Sequence, residues 1–357
     1  MRWLITVIVG LIILTGGCSY LNNGESMVEE DSIEAVVSAS PEVLAKNLDI
    51  PWSIEKAGNT FYVTERKGTI LRIDEETNKV TTNNLKVKKD VYHIGEGGLL
   101  GFVLAPNFET TNEAVIYYTY QEDNQILNRV VLIEKSGDMW REVRPLLENI
   151  PGGRIHNAGR LEIGPDQNLY ITTGDAGRPE IAQSLDNLGG KILRMQINGD
   201  IPKDNPFENS FVYSFGHRNP QGLVWDENNN LYSSEHGQSA HDEINLIKPG
   251  KNYGWPVIQG DQVRDGMEKP LFHTGDYTWA PSGMGYYNGK LYVATLRDRR
   301  IRSFDLTTKK ITVVFLQGGR MRDIYIQNST LYALTNNRDG RGDPQEDDDK
   351  MIKFHLE

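Results

Sequence analysis

The chain has 357 residues, with 49 Asp or Glu against 38 Lys or Arg and a net charge of −11. That balance argues against nucleic acid as a partner, since a phosphate backbone is bound by clustered basic residues. The single cysteine, Cys18, excludes a disulfide framework, so stability must come from a large buried core.

Met1 and Arg2 form a minimal positive start, and Trp3 to Leu14 is an apolar run broken only by Thr6 and Gly10. The run is short for a membrane span and has the length of a signal-peptide core. It ends in Leu14-Thr15-Gly16-Gly17-Cys18, and a sole cysteine after small residues resembles a bacterial lipoprotein cleavage site, although leucine is commoner at Thr15. Residues 1–18 are therefore expected to be a lipoprotein signal peptide with Cys18 as the lipidation residue. The folded part would then lie outside the cytoplasm, lipid-anchored to the bacterial cell membrane; an uncleaved N-terminal anchor is the alternative. Residues 19–42, carrying Glu25, Glu29, Glu30, Asp31 and Glu34, read as an acidic flexible tether.

Residues 43–357 read as one all-β domain. A strand motif with a central aromatic recurs as Phe61-Tyr62-Val63, Ile116-Tyr117-Tyr118, Leu169-Tyr170-Ile171, Leu231-Tyr232-Ser233, Leu291-Tyr292-Val293 and Leu331-Tyr332-Ala333. Most copies follow a turn such as Asp166-Gln167-Asn168 or Asn288-Gly289-Lys290. The copies lie roughly 40 to 60 residues apart, the spacing of four-stranded propeller blades with loop insertions. The expected fold is a six-bladed β-propeller with four-stranded blades; a β-sandwich would need fewer strands and would not show this period. In a propeller, loops from distant parts of the chain converge at one end of a central channel.

Several of those loops carry candidate chemistry. Gly95 to Gly101 is a glycine-rich turn without the Gly-Lys-Ser/Thr ending of a phosphate loop, so it reads as a tight blade entry, with Glu96 able to face a pocket. Next come His156, just before one strand-like run, and Asp175, just after the following one, with a Pro-Asp-Gln-Asn turn between them. An antiparallel hairpin would bring the two together, and an imidazole with a carboxylate in reach is an oriented general base. In Gly216-His217-Arg218-Asn219-Pro220-Gln221-Gly222, side-chain donors are held by a proline and two glycines, which suggests a bound ligand. The oxygen-rich segment Ser234 to Asn245 suits Ca²⁺; zinc is the weaker fit, with no cysteine partner and no His-Glu-x-x-His helix. Arg297, Arg320 and Arg322, presented by separate loops of an acidic protein, suggest a small polyanion, whereas Arg299 and Arg300 read as surface salt bridges. The run from Gly340 to Asp349 reads as a solvated acidic connection into the last strand.

In order along the chain, His-x-x-Gly-Arg-Leu, Gly-Asp-x-Gly, Gly-His-Arg-Asn-Pro-Gln-Gly-Leu, Asp-Glu-Ile-Asn, Asn-Tyr-Gly-Trp-Pro and Arg-x-Arg-Asp make this sequence similar to the soluble quinoprotein glucose/sorbosone dehydrogenases. The likeness runs from about Leu44 to the C-terminus and is nearest to the bacterial aldose sugar dehydrogenases. It implies pyrroloquinoline quinone (PQQ) and Ca²⁺ as cofactors, an aldose sugar as substrate and an external electron acceptor. Within it, His156 matches the general base for the C1 hydroxyl, Asp175 the carboxylate orienting it, and Arg218 the arginine that polarises the quinone. Asn219 matches a cofactor-binding amide, and Arg320 and Arg322 the pair on the cofactor carboxylates. Gly237 and Gln238 fall where backbone carbonyls hold the Ca²⁺.

Four positions depart from the family's pattern. Glu96 stands where glutamine is common and would bring a negative charge near an anionic cofactor. Arg297 replaces a lysine, and Gln238 a proline. Ile155 takes the place of an aspartate near the sugar in the glucose enzymes, so sugar preference does not transfer. Two other readings are open: a propeller kept as a non-catalytic sugar- or partner-binding lipoprotein, and a Ca²⁺-dependent lactonase in which His156 activates water.

Overall fold

The computed structural model describes residues 40–356. Cys18 and the expected signal peptide lie outside the described residues. Among the described residues no helix is long and apolar enough to cross a membrane.

The first strand, β1 (Glu42–Ala45), stands apart from the regular succession that follows it. After it come β2 (Pro51–Ala57), β3 (Thr60–Glu65), β4 (Thr69–Asp74) and β5 (Val80–Lys86), an antiparallel meander. A second meander follows: β6 (Leu99–Leu104), β7 (Glu113–Glu122), β8 (Gln125–Ser136) and β9 (Met139–Pro151). Parallel pairing of β5 with β9 joins these two into one eight-stranded sheet. Three separate four-stranded sheets come next. They are β10 (Ala158–Ile163), β11 (Leu169–Thr173), β12 (Lys191–Met195) and β13 (Val212–Phe215); β14 (Pro220–Trp225), β15 (Leu231–Glu235), β16 (Glu243–Ile247) and β17 (Phe272–His273); and β18 (Pro281–Tyr287), β19 (Lys290–Thr295), β20 (Arg300–Asp305) and β21 (Ile311–Phe315). The last sheet contains β22 (Met321–Gln327), β23 (Thr330–Thr335) and β24 (Met351–His355), with β1 as its fourth strand.

Each recurring aromatic motif lies on the second strand of its meander: β3, β7, β11, β15, β19 and β23. These strands are buried on both faces, which explains why apolar residues flank the tyrosine rather than alternating with polar ones. The tyrosine rings and hydroxyls join one sheet to the next. Tyr170 packs on Trp225 with ring centroids 5.0 Å apart, and Tyr332 packs on Phe61 at 4.6 Å. The first strands make the inner ring. β2 touches β6, β6 touches β10, and the contacts run on through β14, β18 and β22 back to β2. The fold is an all-β propeller.

Its closure is carried by β1. Glu42 and Val43 pair antiparallel with Lys353 and Ile352, and a Lys353–Glu42 ion pair of 3.2 Å reinforces the seam. Leu44 is buried against Phe61, Ile54, Tyr332 and Met351, so the strand fills core between the last sheet and the first.

The run from Gly340 to Asp349 is largely exposed as far as Glu346, as expected of a solvated connection, but its end is not. Asp348 and Asp349 are buried, and Asp348 accepts a 3.0 Å hydrogen bond from the Asn337 side chain. The Asp349 carboxylate accepts from the Asn337 amide, and burial pushes its pKa up to about 6. These carboxylates supply acceptors that an irregular buried segment could not find within its own backbone.

Leu44→Ala should lower unfolding stability by about 2–5 kcal/mol, the usual cost of a cavity at a buried leucine. A urea midpoint unchanged from the parent would show that β1 does not fasten the ring.

Candidate functional site

In each meander the first and second strands are antiparallel, so the entry to the first and the exit from the second lie at the same end. Glu96, His156, Arg218, Asn219 and Arg320 immediately precede first strands, and Arg322 sits at the start of one. Asp175, His236, Arg297 and Asp339 follow second strands. All therefore gather at one mouth of the ring. A cavity of about 240 Å³ opens there, with Trp52, Glu96, Ala158, His236, Arg322 and Arg341 among its walls.

The expected hairpin is formed by β10 and β11, with Ala158 opposite Thr173, and it places His156 beside Asp175. His156 Nδ1 lies 2.7 Å from Asp175 Oδ1. Asp175 is fully buried and its oxygens are occupied. Gly177 N–H donates to Oδ1 at 2.8 Å, and the Trp255 indole N–H donates to Oδ2 at 2.9 Å. A fully buried carboxylate needs such donors to satisfy its oxygens. With the Asp175 oxygen as the acceptor facing Nδ1, that nitrogen is the ring's donor and Nε2 is the nitrogen left to act as a base. His156 itself takes a left-handed backbone, φ 55°. A non-glycine residue in that region costs of order 1–3 kcal/mol and persists only where its surroundings impose it. Here its N–H donates to Glu96 Oε2 at 2.9 Å, and its carbonyl accepts from Ala176 N–H at 3.2 Å. Glycines give the loops room: a Cβ at Gly95 would sit 2.1 Å from the Arg154 carbonyl, and one at Gly174 would sit 1.9 Å from the His156 carbonyl.

Glu96 also accepts a 2.8 Å bond from Arg341 Nη2. Burial alone would raise its pKa, but the His156 amide and the Arg341 charge outweigh burial and hold it down to about 2. The carboxylate is therefore ionised at neutral pH.

Arg320 and Arg322 are buried and Arg218 is half-buried, yet all three are incompletely bonded. Arg218 donates to the His236 carbonyl at 3.3 Å, and its guanidinium lies 5.3 Å from the Trp255 ring centre. Arg320 donates to Asp339 at 2.7 Å and to the Leu296 carbonyl at 3.3 Å. Arg322 donates to Gln221 at 3.0 Å and to Ser282 at 3.3 Å. Burial pushes its pKa down to about 9. In all three the Nε atom is buried without a hydrogen-bond partner among the described residues, as is His236 Nε2. An unmet buried donor costs about 1–3 kcal/mol, and more when charged. Such a cluster at one mouth is a cradle for an anion with several acceptors.

Asn219 is buried, and its side-chain oxygen accepts from Ala158 N–H and from the Gln221 amide, each at 3.0 Å. Arg297 is exposed and does not line the cavity. Gly237 and Gln238 directly follow His236, whose carbonyl touches Arg218; Asp242 Oδ1 holds the Gly237 amide at 2.9 Å. Among the described residues there is no cluster of three His, Cys, Asp or Glu side chains suited to a metal.

Known proteins resemble this chain in sequence and fold. The family model for glucose/sorbosone dehydrogenases matches residues 48–343. The chain belongs to the glucose/sorbosone dehydrogenase family. It is 37% identical to quinoprotein glucose dehydrogenase B of Acinetobacter calcoaceticus over 61% of this chain and 52% of that protein. It is 30% identical to an aldose sugar dehydrogenase of Escherichia coli over 86% of this chain and 92% of that one. Among solved structures, the PQQ-bound form of aldose sugar dehydrogenase from Streptomyces coelicolor superposes with a TM-score of 0.82 at 36% identity, covering 89% of this chain and 98% of that one.

Against that family background, sequence reasoning missed Trp255 and Arg341. Trp255 lies in the quoted Asn-Tyr-Gly-Trp-Pro motif, but its donation to Asp175 spans 80 positions and no local pattern announces it. Arg341 sits in a segment read as solvated. His217, by contrast, is structural: it is buried between Ser214 and Glu235 and stacks on Tyr253.

Trp255→Phe keeps the ring and removes the donor, leaving Asp175 Oδ2 buried without it. Urea unfolding should show a loss of about 1–3 kcal/mol; an unchanged midpoint would mean that solvent replaces the indole.

Proposed function

We propose that this protein is a PQQ- and Ca²⁺-dependent aldose dehydrogenase that oxidises the sugar C1 hydroxyl to the lactone. The observation that carries this reading is a half-buried, oriented imidazole at the same mouth as three arginines with unpartnered donors, in a chain of the glucose/sorbosone dehydrogenase family. The four-stranded units are read as six blades around one channel.

The residues present fit the cofactor. PQQ bears three carboxylates, and the unpartnered Nε atoms of Arg320 and Arg322 offer them charged donors. Arg218 would face the quinone oxygen. Asn219, its oxygen already committed, offers the cofactor its amino group. Arg297 would add charge from the rim, and Glu96 would border the cofactor as part of an ion pair. The backbone carbonyls of Gly237 and Gln238 are the oxygen donors that Ca²⁺ favours. When bound, PQQ supplies the two-electron acceptor for the C1 hydride, and Ca²⁺ polarises it as a Lewis acid.

The protein's own part is proton chemistry and positioning. His156 Nε2 takes the C1 hydroxyl proton. Asp175, held by Gly177 and Trp255, stabilises the imidazolium that results. Electrons then leave to an external acceptor. We place the enzyme outside the cytoplasm, tethered through Cys18.

Purified protein supplied with PQQ and Ca²⁺ should reduce a dye in the presence of at least one aldose. His156→Ala should lower the rate by about 10²–10⁴-fold, the usual contribution of a positioned base. Equal rates in parent and mutant would overturn the role of His156. Bound quinone with no reduction by any aldose would favour a binding module.

A further inference from the structure

Glu96 and Asp339 are carboxylates on the wall of a cavity otherwise furnished for an anion; Asp339 is paired with Arg320, and the two oxygens of Glu96 are assigned to different partners. Oε2 takes the His156 amide at 2.9 Å, and Oε1 takes Arg341 Nη2 at 2.8 Å. The Glu96 amide also donates to the Arg154 carbonyl at 2.8 Å, so this residue grips the 154–156 loop on both sides of Ile155. The left-handed backbone of His156 thus has the Glu96 carboxylate as the acceptor of its N–H.

Arg341 comes from a different region, 245 positions away. Its turn is fastened by Asp339, whose Oδ1 accepts the Arg341 amide at 2.9 Å and whose Oδ2 accepts Arg320 Nη2 at 2.7 Å. Asp339, Gly340 and Arg341 all line the cavity. The turn therefore crosses the mouth from an arginine of the anion cradle to the carboxylate that holds the base. Charge explains the pairing. A lone carboxylate here would repel an anionic ligand, while the pair is neutral and leaves the cradle arginines in excess.

We propose that Glu96 is a positioning residue for His156, acting through its backbone amide, and that Arg341 is the counterion that makes a carboxylate tolerable beside an anionic cofactor. The proposal rests on the PQQ reading above, and the experiment separates the two. PQQ affinity of the apoprotein is measured by tryptophan fluorescence for the parent, Arg341→Gln, Glu96→Gln and the double variant, at low and high salt. Arg341→Gln should weaken binding by about tenfold at low salt and less at high salt, since like-charge juxtaposition is costly and screened. Adding Glu96→Gln should restore affinity to within about twofold of the parent.

For the positioning role, Glu96→Ala should lower kcat with little change in KM, and Glu96→Gln, which keeps an acceptor, should recover most of the loss. In the apoprotein the His156 amide proton should exchange about tenfold faster in Glu96→Ala than in Glu96→Gln, a readout independent of cofactor. Unchanged affinity in Arg341→Gln, or a double variant as weak as that single one, would overturn the counterion role. Equal amide exchange in Glu96→Ala and Glu96→Gln would overturn the positioning role. If the parent itself binds no PQQ, the functional reading fails, and the amide-exchange result still decides whether Glu96 holds His156.

Discussion

The ring is drawn together at its axis by Arg160 and Asp323. Arg160, on β10, donates to Asp323 Oδ2 at 2.9 Å and to the Gln221 carbonyl at 3.0 Å, and its guanidinium lies 4.4 Å from the Trp52 ring centre. Asp323 also accepts from Ile54 N–H at 2.9 Å. One ion pair therefore ties β2, β10, β14 and β22, strands that meet only if the ring closes. Both side chains are buried. Burial pushes the Asp323 carboxyl up while Arg160 pulls it down, and a pair so placed contributes little net stability. Removing one partner, however, would strand a buried charge, so the pair specifies register more than it adds energy.

The same strands carry the site. His156 lies four residues before Arg160, Asn219 two before Gln221, and Arg322 directly before Asp323. His156, Asn219 and Arg322, the proposed base, cofactor-side amide and cradle arginine, are thus held relative to one another by the contacts that set the axis. Around this frame the loops add what the strands cannot. Trp255 reaches in to Asp175, and Arg341 crosses the mouth to Glu96. Unpartnered donors on Arg218, Arg320 and Arg322 persist because their neighbours are fixed elsewhere and cannot collapse onto them. That arrangement costs stability in the free protein and is preorganised for an anion.

Much of this was legible in the sequence, for definable reasons. The recurring tyrosine strands were visible because second strands, buried on both faces, must be apolar throughout, and a fixed period exposes repetition. The His156–Asp175 pair was visible because a single hairpin joins them, a contact only 19 positions long. Long-range contacts were not. Nothing local to Arg341 distinguishes a cavity-lining guanidinium from a solvated one, and the neighbouring acidic run disguised buried carboxylates as surface charge. Glu96 was noticed as an unexpected charge, but its neutralising partner comes from the other end of the domain. Arg297 illustrates the converse: it was grouped with Arg320 and Arg322 as a candidate for a small polyanion, yet its side chain is exposed and does not line the cavity. Cys18 lies outside the described residues, and the tether and anchor rest on the sequence pattern.

The proposed cradle for a quinone tricarboxylate consists of buried Arg320 and Arg322 with half-buried Arg218. Calorimetric titration of the apoprotein with PQQ in the presence of Ca²⁺ tests it most directly, with Arg322→Met as the comparison. Saturable binding of one quinone per chain, weakened by about tenfold or more in Arg322→Met, is the expected result for loss of a charge-assisted bond to a carboxylate. A folded parent protein that shows no saturable binding, or an Arg322→Met variant that binds as tightly as the parent, would contradict it.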